Sequence, residues 1–106
     1  MTDKKIVLIT VGSREEGQQI ARALVERRLA ACVNISGPIE SVYRWKGAVE
    51  SAPEWLLLIK TTAAAGSRVE AAIKELHSYE LPECVVLAIE GGSEAFLAWV
   101  GENVGR

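Results

Sequence analysis

The chain has a single histidine, two cysteines and three prolines among 106 residues, and it has no dense block of Lys and Arg. Each scarcity excludes something. A Ser-His-acid triad would have to use His77, and nothing in the sequence sets a serine nucleophile and an orienting acid beside it. Two cysteines, Cys32 and Cys84, are too few for a disulfide scaffold, so reduced thiols and a cytoplasmic location are expected. With a net charge of −2 and no basic cluster, nucleic acid is not the expected partner. No apolar run approaches the roughly 18 residues of a membrane span, and the start, Met1-Thr2-Asp3-Lys4-Lys5, lacks the apolar core and small-residue cleavage site of a signal peptide. Gly91-Gly92 is not followed by Lys-Ser/Thr, so there is no phosphate loop. Trp45-Lys46-Gly47 matches an RNA-recognition signature only superficially, and Val11-Gly12-Ser13-Arg14 offers one arginine but no phosphate cradle after the first strand. No enzyme activity is expected.

What the chain does have is a long hairpin, from Leu29 to Thr62, that organises the rest. One arm alternates over Ala31, Val33 and Ile35, then over Ile39, Ser41, Tyr43 and Trp45, the period of a strand with one face on a core. Gly37-Pro38 interrupts it and predicts a bulge, bend or sheet edge. Lys46-Gly47 can supply the positive backbone angles of a tight turn. The second arm ends in Trp55-Leu56-Leu57-Leu58-Ile59, a run typical of a strand covered on both faces. Fifteen residues from Ala31 to Trp45 at about 3.4 Å each reach roughly 50 Å, far beyond the ~13 Å radius of a domain this size. Unless the hairpin folds sharply at Gly37-Pro38, its tip stands clear of the body. Its aromatics then point to burial against another subunit.

Around this hairpin, Ile6-Val7-Leu8-Ile9 is read as a strand, and Ser13-Arg14-Glu15-Glu16 as a capping box opening a helix with Ile20, Ala21, Leu24 and Val25 inward. Ser67-Arg68-Val69-Glu70 is read as a second capping box, although the helix can begin near Ala63 with Gly66 tolerated. Its apolar face is Val69, Ala72, Ile73 and Leu76. Val85 to Ile89 is a third buried run. Ser93 caps a last helix with Phe96, Leu97 and Val100 inward and Trp99 beside them, and the tail from Gly101 to Arg106 is expected to fray. Two split βαβ units in one domain, residues 1–106, predict an α+β ferredoxin-like βαββαβ sandwich with a long central hairpin and a C-terminal helix. In that sheet the second and fourth strands lie at opposite edges, which keeps Cys32 and Cys84 apart.

The remaining chemistry is His77-Ser78-Tyr79-Glu80-Leu81-Pro82-Glu83-Cys84. His, Cys and carboxylate form a donor set for a transition metal, but the spacing is not a structural zinc motif. His77 is either a metal ligand or a helix-end histidine that satisfies C-terminal carbonyls. Tyr79 reads as a packing residue with a hydrogen-bonded hydroxyl, Cys32 as a small buried hydrophobe, and Lys60 as a binding-site cation or a lysine reaching for water.

The phrases Leu29-Ala30-Ala31-Cys32-Val33-Asn34, Ile39 to Gly47 (IESVYRWKG), Glu54 to Thr62 (EWLLLIKTT), His77 to Glu83 (HSYELPE) and Phe96-Leu97-Ala98-Trp99-Val100 resemble, in order along the chain, the divalent-cation tolerance family called CutA. The resemblance implies a homotrimer in which hairpins extend sheets across subunits, similar in architecture to PII-type signalling proteins. It implies a non-enzymatic protein that binds or responds to divalent ions such as copper, with no organic cofactor. An alternative is a PII-like signalling or scaffold trimer that holds a small anion, metabolite or protein partner at its inter-subunit cleft. The cleft residues implied are Cys32, Tyr43, Trp45, Lys60, Tyr79 and Glu83, with His77 and Cys32 as metal ligands. Where some members carry a first-strand cysteine, a His-His pair and a proline after the histidine, this chain has Ile9, Leu76 and Ser78. Any copper site is therefore expected to be incomplete and weak.

Overall fold

The computed structural model describes residues 2–105; Met1 and Arg106 lie outside it. The strands are β1 (Lys4–Val11), β2 (Cys32–Trp45), β3 (Ala48–Thr62) and β4 (Val85–Ala88), and the helices are α1 (Arg14–Glu26), α2 (Gly66–Leu76) and α3 (Glu94–Asn103). The sheet is antiparallel in the order β2-β3-β1-β4, the ferredoxin-like order. Cys32 and Cys84 are both free thiols, with β2 and β4 at opposite edges as expected.

Alternation divides the sheet into two faces. Val7, Ile9, Val11, Leu57 and Ile59 are buried with Ile20 and Leu24 of α1 and Val69 and Ile73 of α2. Gly17 is what lets α1 sit close: a Cβ there would lie 3.2–3.3 Å from Val11 and Leu57 side-chain atoms. The opposite face holds Ile6, Leu8, Leu56 and Leu58, all half-buried. The sheet is thus closed on one side and open on the other. The burial on both faces expected for Trp55 to Ile59 is not reached: Leu57 and Ile59, on the helix side, are buried, and Leu56 and Leu58, on the other, are half-buried.

The hairpin projects. The molecule measures 44 × 25 × 22 Å, and Val42 and Val49 near the tip are 67% and 65% exposed. Lys46 (φ 50°) and Gly47 (φ 85°) make the two-residue turn between the paired residues Trp45 and Ala48, the pair of left-handed positions this hairpin type needs. At Gly37-Pro38, joined by a cis bond, the β2–β3 register shifts between Ser36 and Ile39. This bulge separates what the alternation had grouped together. Val33 and Ile35 pair with Ile59 and Leu57 on the helix side, whereas Ile39 pairs with Glu54 and Tyr43 with Glu50 on the other. An extra residue in one strand inverts the facing of everything beyond it. Gly37 is required at this bulge: with φ +154°, a Cβ there would lie 2.9 Å from Trp55 Cδ1 and 3.1 Å from the Glu54 carbonyl.

Several local expectations are corrected. Ser13 does cap α1, accepting from the Glu16 amide at 3.1 Å, but the Glu16 side chain turns away to another partner. The second capping box does not form. Thr62 caps a 3₁₀ turn over Ala63–Ala65 that runs into α2 at Gly66, and the N-cap of α2, Ala65, makes no side-chain bond. Val25 is exposed at the edge of α1. All four β4 residues are exposed, because this strand is the sheet's outer edge. In α3 only Val100 is fully buried, while Phe96 and Trp99 stack 5.7 Å apart at the surface. The tail is tied down rather than frayed: Val104 is buried, Gly105 N–H donates to the Arg28 carbonyl at 2.7 Å, and Arg68 donates to the Gly105 carbonyl at 3.1 Å. Of that tail, Arg106 lies outside the described residues.

Candidate functional site

Beyond the bulge, the re-aimed side chains of β2 meet the segment that follows α2. Helix α2 ends at Leu76, and His77 breaks it with extended backbone (φ −82°, ψ 141°). The chain then runs back across the upper end of β1. Three contacts hold it there. Ser78 donates its amide and its hydroxyl to the Glu16 carboxylate of α1, at 2.8 and 3.0 Å. The Tyr79 hydroxyl donates to Glu54 Oε2 at 2.8 Å. The His77 ring, only 8% exposed as a residue, donates from Nε2 to the Thr10 carbonyl at 2.7 Å and accepts the Tyr79 amide at Nδ1 at 3.0 Å. Those two bonds together require the neutral tautomer with the proton on Nε2.

The result is a cleft of about 570 Å³ between the distal hairpin and the 77–83 segment. Tyr43 and Trp45 of β2 contribute aromatic surface on one side, and Tyr79 on the other. Glu50, Glu54, Glu80 and Glu83 line it with carboxylates, and no Lys, Arg, His or Cys is among its lining residues. Glu54 is 7% exposed and holds the Tyr79 hydroxyl. Burial, followed by the hydrogen bond and charge of Glu54, pushes the Tyr79 phenol well above its usual pKa, so it remains a donor. Gly12, in the β1–α1 turn, leaves room for that ring: a Cβ there would stand 3.0 Å from the Tyr79 oxygen.

Four residues expected at the site, Tyr43, Trp45, Tyr79 and Glu83, line this cleft. Cys32 and Lys60 do not. They face each other across β2 and β3 in the row that continues to Ile6, whereas His77 bonds Thr10 in the row of Leu56 and Ser36. Lys60 donates instead to the Asn34 side chain, and Cys32 is half-exposed rather than a fully buried hydrophobe. The His77 backbone N–H caps α2 by donating to the Ile73 carbonyl at 2.9 Å, but its ring bonds no carbonyl of that helix and reaches β1 instead. Both ring nitrogens have protein partners, so a metal at Nδ1 would have to displace the Tyr79 amide. Among the described residues no three His, Cys, Asp or Glu side chains converge to hold a metal. Sequence reasoning missed Glu50, Glu54, Glu80 and Gly12. Glu54 sits in EWLLLIKTT, and the signal that could have found it is the break at Gly37-Pro38, where the extra β2 residue moves Ile39 and Tyr43 onto the face of Glu54.

The matching family model is described as CutA1 divalent ion tolerance protein and spans residues 5–103. The divalent-cation tolerance protein CutA of Thermus thermophilus is 49% identical over 102 residues, covering 96% of this chain and 99% of that protein. A chloroplastic CutA protein of Arabidopsis thaliana is 43% identical over 95 residues, 90% of this chain but 52% of the longer relative. The crystal structure of CutA from Xylella fastidiosa superposes with a TM-score of 0.95 at 33% identity, covering 98% of this chain and 100% of that one. The chain belongs to the CutA family of divalent-cation tolerance proteins.

Proposed function

We propose that this protein acts without catalysis, as a homotrimer whose distal hairpins and clefts meet at subunit boundaries and respond there to divalent cations such as copper. The observation that carries the reading is the distal hairpin itself. Val42 and Val49 stand in solvent beside an acidic, aromatic cleft that the hairpin and the 77–83 segment leave open to solvent. Further apolar surface is open along the edge strand at Val85, Val86 and Leu87 and on α3 at Phe96 and Trp99. Exposed apolar strand edges of this kind are ordinarily covered by association.

The copper contact in this reading is weak. Its first partners are cleft carboxylates, and His77 joins only by giving up the Tyr79 amide. Cys32, four strand positions away from the row of Thr10, can serve only through a neighbouring subunit. Light scattering at micromolar concentration should give a trimer mass, and a monomer overturns the assembly. Copper titration should give weak binding that falls in His77→Ala and in Glu54→Gln. If both variants bind copper as the wild type does, neither the histidine nor the cleft is the copper site. The second reading, a scaffold or signalling trimer that holds a small metabolite in this cleft, is favoured by its volume and its aromatic walls. The four carboxylates weigh against an anion there and for a cation.

A further inference from the structure

We infer that the cleft between the distal hairpin and the 77–83 segment is a recognition site for a small organic ammonium ion. The inference rests on the second reading above, that this cleft holds a small metabolite, and it names the chemical class. Three observations carry it.

The first is charge. Glu50, Glu54, Glu80 and Glu83 reach the cleft from β3 and from the segment after α2, and no basic side chain lines it. A concave site lined by one sign of charge concentrates the opposite ion. The second is geometry. A hard divalent cation needs several oxygen ligands at about 2.0–2.6 Å, and no such convergent group exists among the described residues. The carboxylates are distributed over the walls rather than gathered at a point. That distribution suits a bulky, weakly hydrated cation with diffuse charge better than a bare metal ion. The third is the aromatic surface. Tyr43 and Trp45 occupy alternate positions on β2 after the bulge, facing the side from which Tyr79 enters. Ring faces attract ammonium groups, most strongly at tryptophan. Trp45 already carries one: the Lys46 ammonium lies 5.5 Å from its ring centroid. At about 570 Å³ the space suits a small amine rather than a polymer.

The geometry also orders the contributions. Glu54, nearly buried and held by the Tyr79 hydroxyl, is a fixed charge at the inner end. Glu50, opposite Tyr43 on the exposed part of the hairpin, is a second charge beside the aromatic wall.

The test uses choline as the probe, titrated calorimetrically into the full chain in its native assembly. Parallel titrations use the uncharged isostere of choline, in which a tert-butyl group replaces trimethylammonium, and inorganic phosphate. Choline should bind at least roughly tenfold more tightly than its isostere, weaken as salt is added, and outbind phosphate. Trp45→Leu and Glu50→Gln should each weaken choline by roughly threefold or more. Equal binding of choline and the isostere, tighter binding of phosphate, or no choline binding overturns the inference. If Trp45→Leu alters the assembled mass, Glu50→Gln decides alone, and unchanged affinity there overturns it. Copper titrated into the same samples separates the two readings. Choline binding without copper binding leaves this inference standing and sinks the metal response, and copper binding without choline does the reverse.

Discussion

The two ends of the central hairpin are made of the same two strands and obey opposite rules. Near the body, Leu57, Ile59 and Thr61 have essentially no solvent exposure, and each side chain is fixed by what packs on it from α1, α2 or Leu29. Thr61, for example, donates its hydroxyl to the Leu29 carbonyl at 2.6 Å. Beyond the bulge, residues with the same β-forming character, Val42 and Val49, touch almost nothing in their own subunit. Strand propensity therefore makes the whole ribbon, but only half of it is stabilised by this chain's own core. The distal half instead lines the cleft, tied to the body through Glu54 and the Tyr79 hydroxyl.

Substitutions can break that contrast. The largest effect is expected at the body end. Leu57→Ala removes a fully buried side chain and should cost about 2–5 kcal/mol, while Val49→Ala at the tip should change subunit stability by no more than about 0.5 kcal/mol. Urea midpoints compare the two, and equal losses would mean that the tip belongs to the same core. Next is the bulge between the two regimes. Gly37→Ala puts a Cβ against Trp55 and the Glu54 carbonyl and should cost about 1–3 kcal/mol. It should also disturb the cleft, measurable as a change in tryptophan emission.

A smaller effect is expected where the cleft closes. Tyr79→Phe removes the hydroxyl bond to Glu54 and should cost about 1 kcal/mol. It also carries a pH signature. The folded state raises the phenol pKa, so the stabilisation is complete below the unfolded value of about 10 and is lost as the pH rises beyond it. Wild-type denaturation midpoints should therefore fall more steeply than those of Tyr79→Phe between about pH 9 and 11. Parallel curves would detach Tyr79 from that behaviour. The smallest effect is at the turn. Gly47→Ala asks an L-residue to hold φ 85° in open space, a cost of about 1–2 kcal/mol that the reduced entropy of the unfolded chain offsets by about 0.4–1 kcal/mol. In the proposed trimer, its effect should appear more in the assembled mass than in melting of the body.

Much of this architecture was legible because it rests on local chemistry. Period-two patterning marked the strands, Ser13 and Ser93 marked helix starts that the structure keeps, and Lys46-Gly47 marked a turn whose backbone angles few other pairs adopt. The misreadings arose where a distant partner competed with a local one. Glu16 was expected to complete its own helix cap, but Ser78 offers two donors to its carboxylate. Ser67 was expected to cap α2, but Thr62 had already started the chain into a 3₁₀ turn. The sequence is compatible with His77 as a ligand or as a helix-end residue. Its actual partners are a β1 carbonyl and the amide two residues on, and the first of these exists only once α2 packs above the sheet.

The sequence by itself determined which segments are strands and helices, because that depends on propensity and periodicity within short windows. It also determined that the hairpin is too long for its domain, because that is a matter of counting residues. Tertiary structure decided which face each hairpin residue presents. A single shift at Gly37-Pro38 sends Val33 and Ile35 to the core and Tyr43 and Trp45 to the cleft, and the same alternation is compatible with either facing until the partner strand fixes the register. The carboxylate lining was likewise settled by the fold. Glu50, Glu54, Glu80 and Glu83 are separated in the chain, and only the crossing of the 77–83 segment over the end of β1 brings their charges around one space.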